Sequence, residues 1–418
     1  MRILALTAGA ANMYCGSCMR DNALARELIR QGHDITLVPM YTPIRTDDEN
    51  VSGERVFFGG ISIYLQQKFP LFRYLPDWTD KLWDSNWALR LATKNSIEVD
   101  PRSLGELTVS TLKGEKGFQR KEIRKLTDWL KTEPRYDVVA LPYTLLISLA
   151  EPIKRVLGVP IVCTLQGEDL FLESLLEPYR TECLKLIRDQ LRHVDRFIAV
   201  SEYYGGFMAG FLGIEPGRIA VVPLGIDLTG HEALPKPPSG KLRVGFFART
   251  APEKGLHILC EAVALMKQPV DLRVAGYLPP ENRAYFDELQ AKYKFAYQGS
   301  PDREGKIRFL QSIDVLSVPS EYHEAKGTFV MEAMANGTPV VEPAHGAFVE
   351  IVTTTGGGLL TDPGSRADLA SKLDDLARNR DTLATLSRNA VIGVNQHYSV
   401  RAEAERVAEV YRTVMDAY

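Results

Sequence analysis

Twelve short apolar runs of strand length, most of them separated by stretches of helical periodicity, restrict this chain more than any other feature of it. The first six cover residues 2–8, 35–41, 137–142, 160–166, 195–201 and 219–223. The second six cover residues 242–248, 271–277, 295–299, 314–319, 339–342 and 358–360. Strands that alternate with helices build parallel sheets covered by helices, so the pattern predicts an α/β fold made of two Rossmann-like arrays. Between the series lies LTGHEALPKPPSGK (residues 228–241), whose prolines and glycines read as an interdomain linker. At 418 residues the chain is too long for one ordinary core, which agrees with two domains, 1–228 and 241–400.

The chain carries 50 Lys and Arg against 53 Asp and Glu, so its overall charge gives no argument for nucleic-acid binding. No run of apolar residues is long enough for a spanning helix, and MRILALTAGAA at the start does not read as an export signal, its short apolar run fitting a first buried strand. Five cysteines over this length point to a reducing compartment, hence a cytoplasmic protein. Cys15 and Cys18 form a CxxC without a second ligand pair, so a structural role is favoured over a metal or redox one.

The chemically richest stretch is PSEYHEAKGTFVMEAMANGTPVV, residues 319–341. Residues 314–319 form a strand, 328–335 a helix closed by Asn336-Gly337, and the next strand starts at Pro339. Glu324 then sits in a loop at a strand's carboxyl end, and Glu332 sits on the helix. Gly327 and Thr328 mark the helix start, where unpaired amides and the dipole favour an anion. Two carboxylates for hydroxyls beside an amide-lined phosphate position suit a sugar nucleotide, although solvated surface glutamates would explain the same residues singly.

A second motif, VGFFARTAPEKGLHILCEAVALM from Val244, runs from a strand into a loop holding Arg249 and Lys254. Two cations five positions apart can neutralise a leaving diphosphate without a metal. Near the start, NMYCGSCMRDNALARELIRQGHDITLVPMY offers Gly16 for close backbone approach and Ser17 as the cap of a helix reaching Arg30. Gln166, after the strand at 160–166, can bond a hydroxyl but cannot titrate. Glu168 and Asp169 bind acceptor hydroxyls or, as favoured here, cap the helix that follows.

The E-x7-E spacing within PSxxE...EAMAxGTPVV resembles the retaining glycosyltransferases of family 4, and the R-x4-K element of Arg249 and Lys254 is similar to theirs. The resemblance covers nearly the whole chain. It implies the GT-B fold, two Rossmann-like parallel-sheet domains facing a central cleft, with residues 401–418 returning to the first. It implies that Glu324 binds hydroxyls of the donor sugar, that Glu332 binds the ribose, and that Arg249, Lys254 and the amides about Thr328 hold the diphosphate. Gly16, Gln166, Gly276 and Ser300 lie where the family's loops approach the donor, and each also fits an ordinary turn. Departures are visible too: Ala325-Lys326-Gly327 follows Glu324, Ala248 precedes Arg249, and Gln166 stands where many members have histidine.

The implied activity is a retaining, metal-independent transfer of a hexosyl group from a nucleoside diphosphate sugar to a hydroxyl acceptor, with no cofactor. The absence of any D-x-D is consistent with that. The rival readings are a GT-B sugar-nucleotide epimerase and a silent nucleotide-sugar-binding protein. Residues 42–135 add nine aromatics between Phe57 and Trp87, then eight Lys or Arg against four acids over 113–135. Core packing and a solvated helix face are the plain readings; an acceptor platform and peripheral membrane contact are the functional ones.

Overall fold

The computed structural model describes residues 1–9, 16–44, 46, 49–53, 56–58, 101–236 and 239–418. Cys15 and the aromatics beyond Phe58 fall outside these residues, and with them the CxxC pair and the aromatic platform. The chain divides into two compact units. One comprises Met1–Val200, Tyr204–Val222 and Ala404–Tyr418; the other comprises Ser201–Tyr203 and Pro223–Glu403.

In the first unit six strands, β1 (Arg2–Thr7), β2 (Asp34–Pro39), β3 (Val138–Leu141), β4 (Ile161–Leu165), β5 (Arg196–Ala199) and β6 (Ile219–Val221), form a sheet of order β2-β1-β3-β4-β5-β6. Every pairing is parallel. All five residues of β4 are buried, as expected for a central strand covered on both faces. Ile3, Val138, Val162 and Ile198 pack with Ala404, Val407, Ala408, Tyr411 and Val414 of the C-terminal helix Val400–Ala417. Those helix positions recur at three- and four-residue steps, so one stripe faces the sheet. Burying each of the larger apolar side chains contributes about 2 kcal/mol before entropy is counted.

The second unit repeats the scheme with β7 (Leu242–Phe247), β8 (Val270–Ala275), β9 (Ala296–Tyr297), β10 (Val315–Leu316), β11 (Val340–Pro343) and β12 (Gly358–Thr361). Its order is β12-β11-β10-β7-β8-β9, again wholly parallel. The direction of winding therefore reverses between β10 and β7. In open α/β sheets ligands collect outside the carboxyl ends of the strands at such a reversal. The corresponding reversal in the first unit falls between β1 and β3.

One expectation at a helix start is corrected. The first helix is Gly16–Arg30, so Ser17 lies inside it rather than at its cap, and a Cβ on Gly16 would meet nothing within 4 Å. Helix Arg120–Leu130 has a solvated face with Arg120, Arg124 and Asp128, but its opposite face is buried. It buries Lys121 and Glu122 beside Ile123, Leu126 and Leu130, with Glu122 paired to Lys125 at 2.9 Å. Among the described residues no helix is long and apolar enough to cross a membrane.

Candidate functional site

The loops that follow β7 and β10 flank the reversal in the second sheet, and they carry the two motifs. Helix Thr328–Ala335 follows β10 and ends in a Schellman arrangement, with Thr338 N donating to Ala333 O at 3.0 Å and Gly337 N to Met334 O at 3.0 Å. Gly337, at φ 67°, supplies the left-handed residue this stop requires. At the other end Gly327 is the N-cap without a side-chain capping bond, which leaves the first amides of the helix directed at the loop space.

Glu324 is held by two partners. Lys254 Nζ lies 3.1 Å from Glu324 Oε2, with both side chains only 12% and 14% exposed. The Tyr322 hydroxyl lies 2.7 Å from each Glu324 oxygen and also accepts from Lys254 Nζ. The ammonium sits 4.5 Å from the Tyr322 ring centroid and 5.5 Å from that of Phe329, so aromatic faces share in its desolvation. Burial pushes the Tyr322 hydroxyl well up and the neighbouring Glu324 carboxylate adds to this, so the phenol keeps its proton and donates it to the carboxylate. Gly346, at φ 58°, packs its backbone against Glu324; a Cβ there would meet Glu324 N and O at 2.7 Å. Ala347 N donates to Glu324 O at 2.8 Å, which fixes the loop from the β11 side.

The remaining predicted residues of this unit fall into three environments. Arg249 is 52% exposed and paired to Glu253 four residues on, whereas Lys254 is largely buried; the Arg249 charge still acts on Tyr322, the phenol in contact with Lys254. Glu332 on the helix is paired to Lys306 at 2.5 Å. Gly276 follows β8 at φ 134°, where a Cβ would meet Ala248 O at 1.9 Å. Its amide donates to Gly299 O and its carbonyl accepts from Tyr297, so its polar groups are used within the fold. Ser300 is exposed at the end of the strand β9 loop.

In the first unit Gln166 is buried; its Nε2 donates to Pro142 O at 2.7 Å, and its Oε1 is buried with no partner. Glu168 does not cap its helix, contrary to expectation. Its carboxylate instead accepts from Gln166 N at 2.8 Å and from Thr144 N and Oγ1 at 3.3 and 3.1 Å. Burial pushes Glu168 above the ordinary carboxyl range, and these neutral donors offset only part of that. Asp169 accepts from the Tyr204 hydroxyl at 2.6 Å.

Several side chains around Glu324 went unread in the sequence. Glu342 on β11 is fully buried and accepts from Val318 N; burial pushes its carboxyl well above the usual range. A glutamate closing the apolar run PVVE was the available signal. His345 donates Nε2–H to Ser320 O at 3.0 Å and stacks on His323 with centroids 4.6 Å apart. Its buried Nδ1 has no partner, and burial lowers its pKa, so the ring is neutral at neutral pH. Tyr322 lay inside the motif and Lys306 gave no local sign. Among the described residues no cluster of His, Cys, Asp and Glu is arranged to hold a metal.

Residues 232–391 match the family described as Glycosyl transferases group 1, and residues 103–229 match Glycosyltransferase Family 4. Together with the two parallel sheets, these matches support a glycosyltransferase of the GT-B fold. It is 29% identical over 277 residues to the putative colanic acid biosynthesis glycosyltransferase WcaL of Salmonella typhimurium, covering 62% of this chain and 66% of that one. It is 28% identical over 314 residues to the D-inositol 3-phosphate glycosyltransferase of an Arthrobacter species, covering 68% and 72%. A Mycobacterium protein of the same name matches at 32% identity over 47% of each chain, so the chain spans between about half and three quarters of these relatives. In fold it is similar to sucrose-phosphate synthase from Thermosynechococcus elongatus (TM-score 0.71, 18% identity, 100% of both chains). Anabaena HepE in complex with UDP and glucose gives a TM-score of 0.65 at 19% identity, over 99% of this chain and 100% of that one.

Proposed function

We propose that this chain is a retaining glycosyltransferase that moves a hexosyl group from a nucleoside diphosphate sugar to a hydroxyl acceptor without a metal or cofactor. The observation that carries the reading is the Lys254–Glu324–Tyr322 cluster beside the uncapped start of helix Thr328–Ala335, at the reversal of the second sheet. A carboxylate held by one cation and one phenol has lone pairs left for sugar hydroxyls. Lys254, the amides of Gly327 and Thr328, and Arg249 once it leaves Glu253 supply positive charge where a diphosphate departs. Glu332 binds the ribose by exchanging its Lys306 contact for hydroxyls. In this reading the departing phosphate takes the acceptor's proton, so no separate base is needed. That HepE is described with UDP and glucose, and that the curated relatives are named as glycosyltransferases, supports a nucleotide-sugar donor. The cytoplasm, with or without peripheral contact at a membrane, is the compartment this reading assigns.

The test is incubation of the purified chain with UDP-, GDP- and ADP-sugars across a panel of hydroxyl acceptors. Nucleotide release that depends on an acceptor, with the donor's anomeric configuration kept in the product by NMR, is expected. An epimerised donor without acceptor overturns transfer in favour of epimerisation. Donor binding with no turnover across the panel assigns a silent binding protein.

A further inference from the structure

A second ligand position lies at the opposite end of the same sheet. Outside the amino ends of β7, β10 and β11 is a cavity of about 410 Å³, within the range of small-molecule sites. One wall is apolar, with Leu234, Pro339 and Leu383; the other holds Lys236, Arg243, Asp314 and Arg380. Arg243 and Asp314 form a forked pair, with Nη2 2.7 Å from Oδ1 and Nε 3.1 Å from Oδ2, and Asp314 also accepts from Arg243 N at 2.9 Å. Burial opposes the charge on Asp314, but the guanidinium and amide outweigh it and hold the carboxyl below its ordinary range. This pair neutralises itself.

Of the other two cations, Lys236 has no carboxylate in hydrogen-bond contact and Arg380 has only the shared Asp314. Lys236 donates to Thr338 Oγ1 at 2.7 Å and to the carbonyl of Ile313, with Gly337 O at 3.5 Å, so its contacts are neutral acceptors. Burial pulls its pKa down to about 8, with the attraction of Asp314 working against that. Arg380 bonds the carbonyls of Ser239 and Lys241 and stands 3.7 Å from the already paired Asp314. Arg243 is itself only 8% exposed, and its Nη1 has no partner among the described residues. Arg243, Lys236 and the exposed Arg380 thus line one half-open cleft around Asp314, with Asp271 also acting on Arg243. Lys236 and Arg243 are largely out of water, where charge without its own counter-ion is costly, and guanidinium forks match the oxygens of a phosphate.

We propose that this cavity binds a small phosphomonoester dianion with a short apolar substituent, its phosphate facing Arg243 Nη1, Arg380 and Lys236 and its substituent against Leu234 and Leu383. The site lies at the strand ends opposite the Glu324 cluster, so its occupancy is independent of the donor reading.

The experiment measures binding of propyl phosphate by calorimetry to the full chain already saturated with UDP, with butyrate, propylamine and inorganic phosphate as comparisons at equal ionic strength. Propyl phosphate is expected to bind most tightly, butyrate and inorganic phosphate more weakly, and propylamine not at all. Arg380→Gln and Lys236→Met are each expected to weaken binding at least about tenfold, the loss of one charge-assisted contact. Ala384→Trp, which fills the cavity from an exposed helix position, is expected to abolish it. Absence of binding to the wild-type chain at millimolar concentration overturns the proposal. So does binding that survives all three substitutions. If UDP itself does not bind, the same titrations run without it, and a positive result then stands while the donor reading fails.

Discussion

Each unit places a largely enclosed glutamate in the loop after a strand of its sheet, and the two glutamates are satisfied in opposite ways. Glu324, after β10, is held by an ammonium and a phenol. Glu168, after β4, is held by backbone amides and the hydroxyl of Thr144, with no cation in contact among the described residues. An ion pair in a partly open loop can be exchanged for a charged ligand at little net cost, because the ligand brings its own counter-charge. A carboxyl enclosed by neutral donors of its own chain has nothing to exchange. The difference marks Glu324, rather than Glu168, as the carboxylate on which the proposed transfer depends.

Substitution at Glu324 should separate the two most sharply. Glu324→Ala is expected to lower kcat by about a thousandfold while leaving UDP affinity within about twofold, because the carboxylate acts on the sugar and not on the nucleotide. Steady-state kinetics alongside calorimetry read both numbers; a large loss of UDP affinity with kcat intact would reverse the assignment. Lys254→Met should come next. It leaves the Glu324 carboxylate with Tyr322 alone in a poorly exposed position, at a cost of about 3 kcal/mol in stability for an unpaired buried charge. Transfer should fall about a hundredfold as well. Urea unfolding of the variant checks the first figure, and the restoration of stability in Lys254→Met/Glu324→Gln identifies the stranded charge as the cause.

Glu332 extends the comparison along the helix. Glu332→Ala is expected to weaken UDP binding about tenfold with kcat at saturating donor nearly unchanged, the signature of lost uniform binding. Titration with uridine, UDP and inorganic pyrophosphate refines it: the ribose-bearing ligands should lose affinity and pyrophosphate should not. Equal losses for all three would move Glu332 from the ribose to the phosphates.

The fold was legible because it depends on local periodicity. All twelve strand runs appear, displaced by up to three residues at their ends, and helix Thr328–Ala335 has the predicted bounds because its start and stop are encoded by Gly327 and Gly337. The candidate site was legible only as far as local motifs reach. Lys254 meets Glu324 across 70 positions and Lys306 meets Glu332 across 26, and no spacing rule connects such partners. Arg249 and Lys254 looked equivalent in the sequence; the turn between them buries one and exposes the other. Ser17 and Glu168 failed as caps for different reasons. The first helix begins one residue earlier than its serine, and the Glu168 carboxylate has stronger claims on it from Thr144 and Gln166. The anion cavity was invisible because its cations come from the linker, a strand start and a late helix.

The smallest expected effect tests the architectural half of the comparison. Glu168→Gln keeps an acceptor for the Gln166 and Thr144 donors, so transfer should stay within about twofold of wild type. The change should appear in stability against pH. Burial raises the Glu168 pKa in the folded chain above its ordinary value of 4.5, so between that value and the raised one the folded state binds more protons than the unfolded state. Its contribution is therefore complete below the ordinary value and is lost as pH rises through the folded one. Glutamine does not titrate, so the wild type should lose stability relative to Glu168→Gln as pH is raised from about 4 towards 8. Parallel unfolding curves across that range would show that Glu168 is not enclosed as described, and would reopen it as a ligand-facing group.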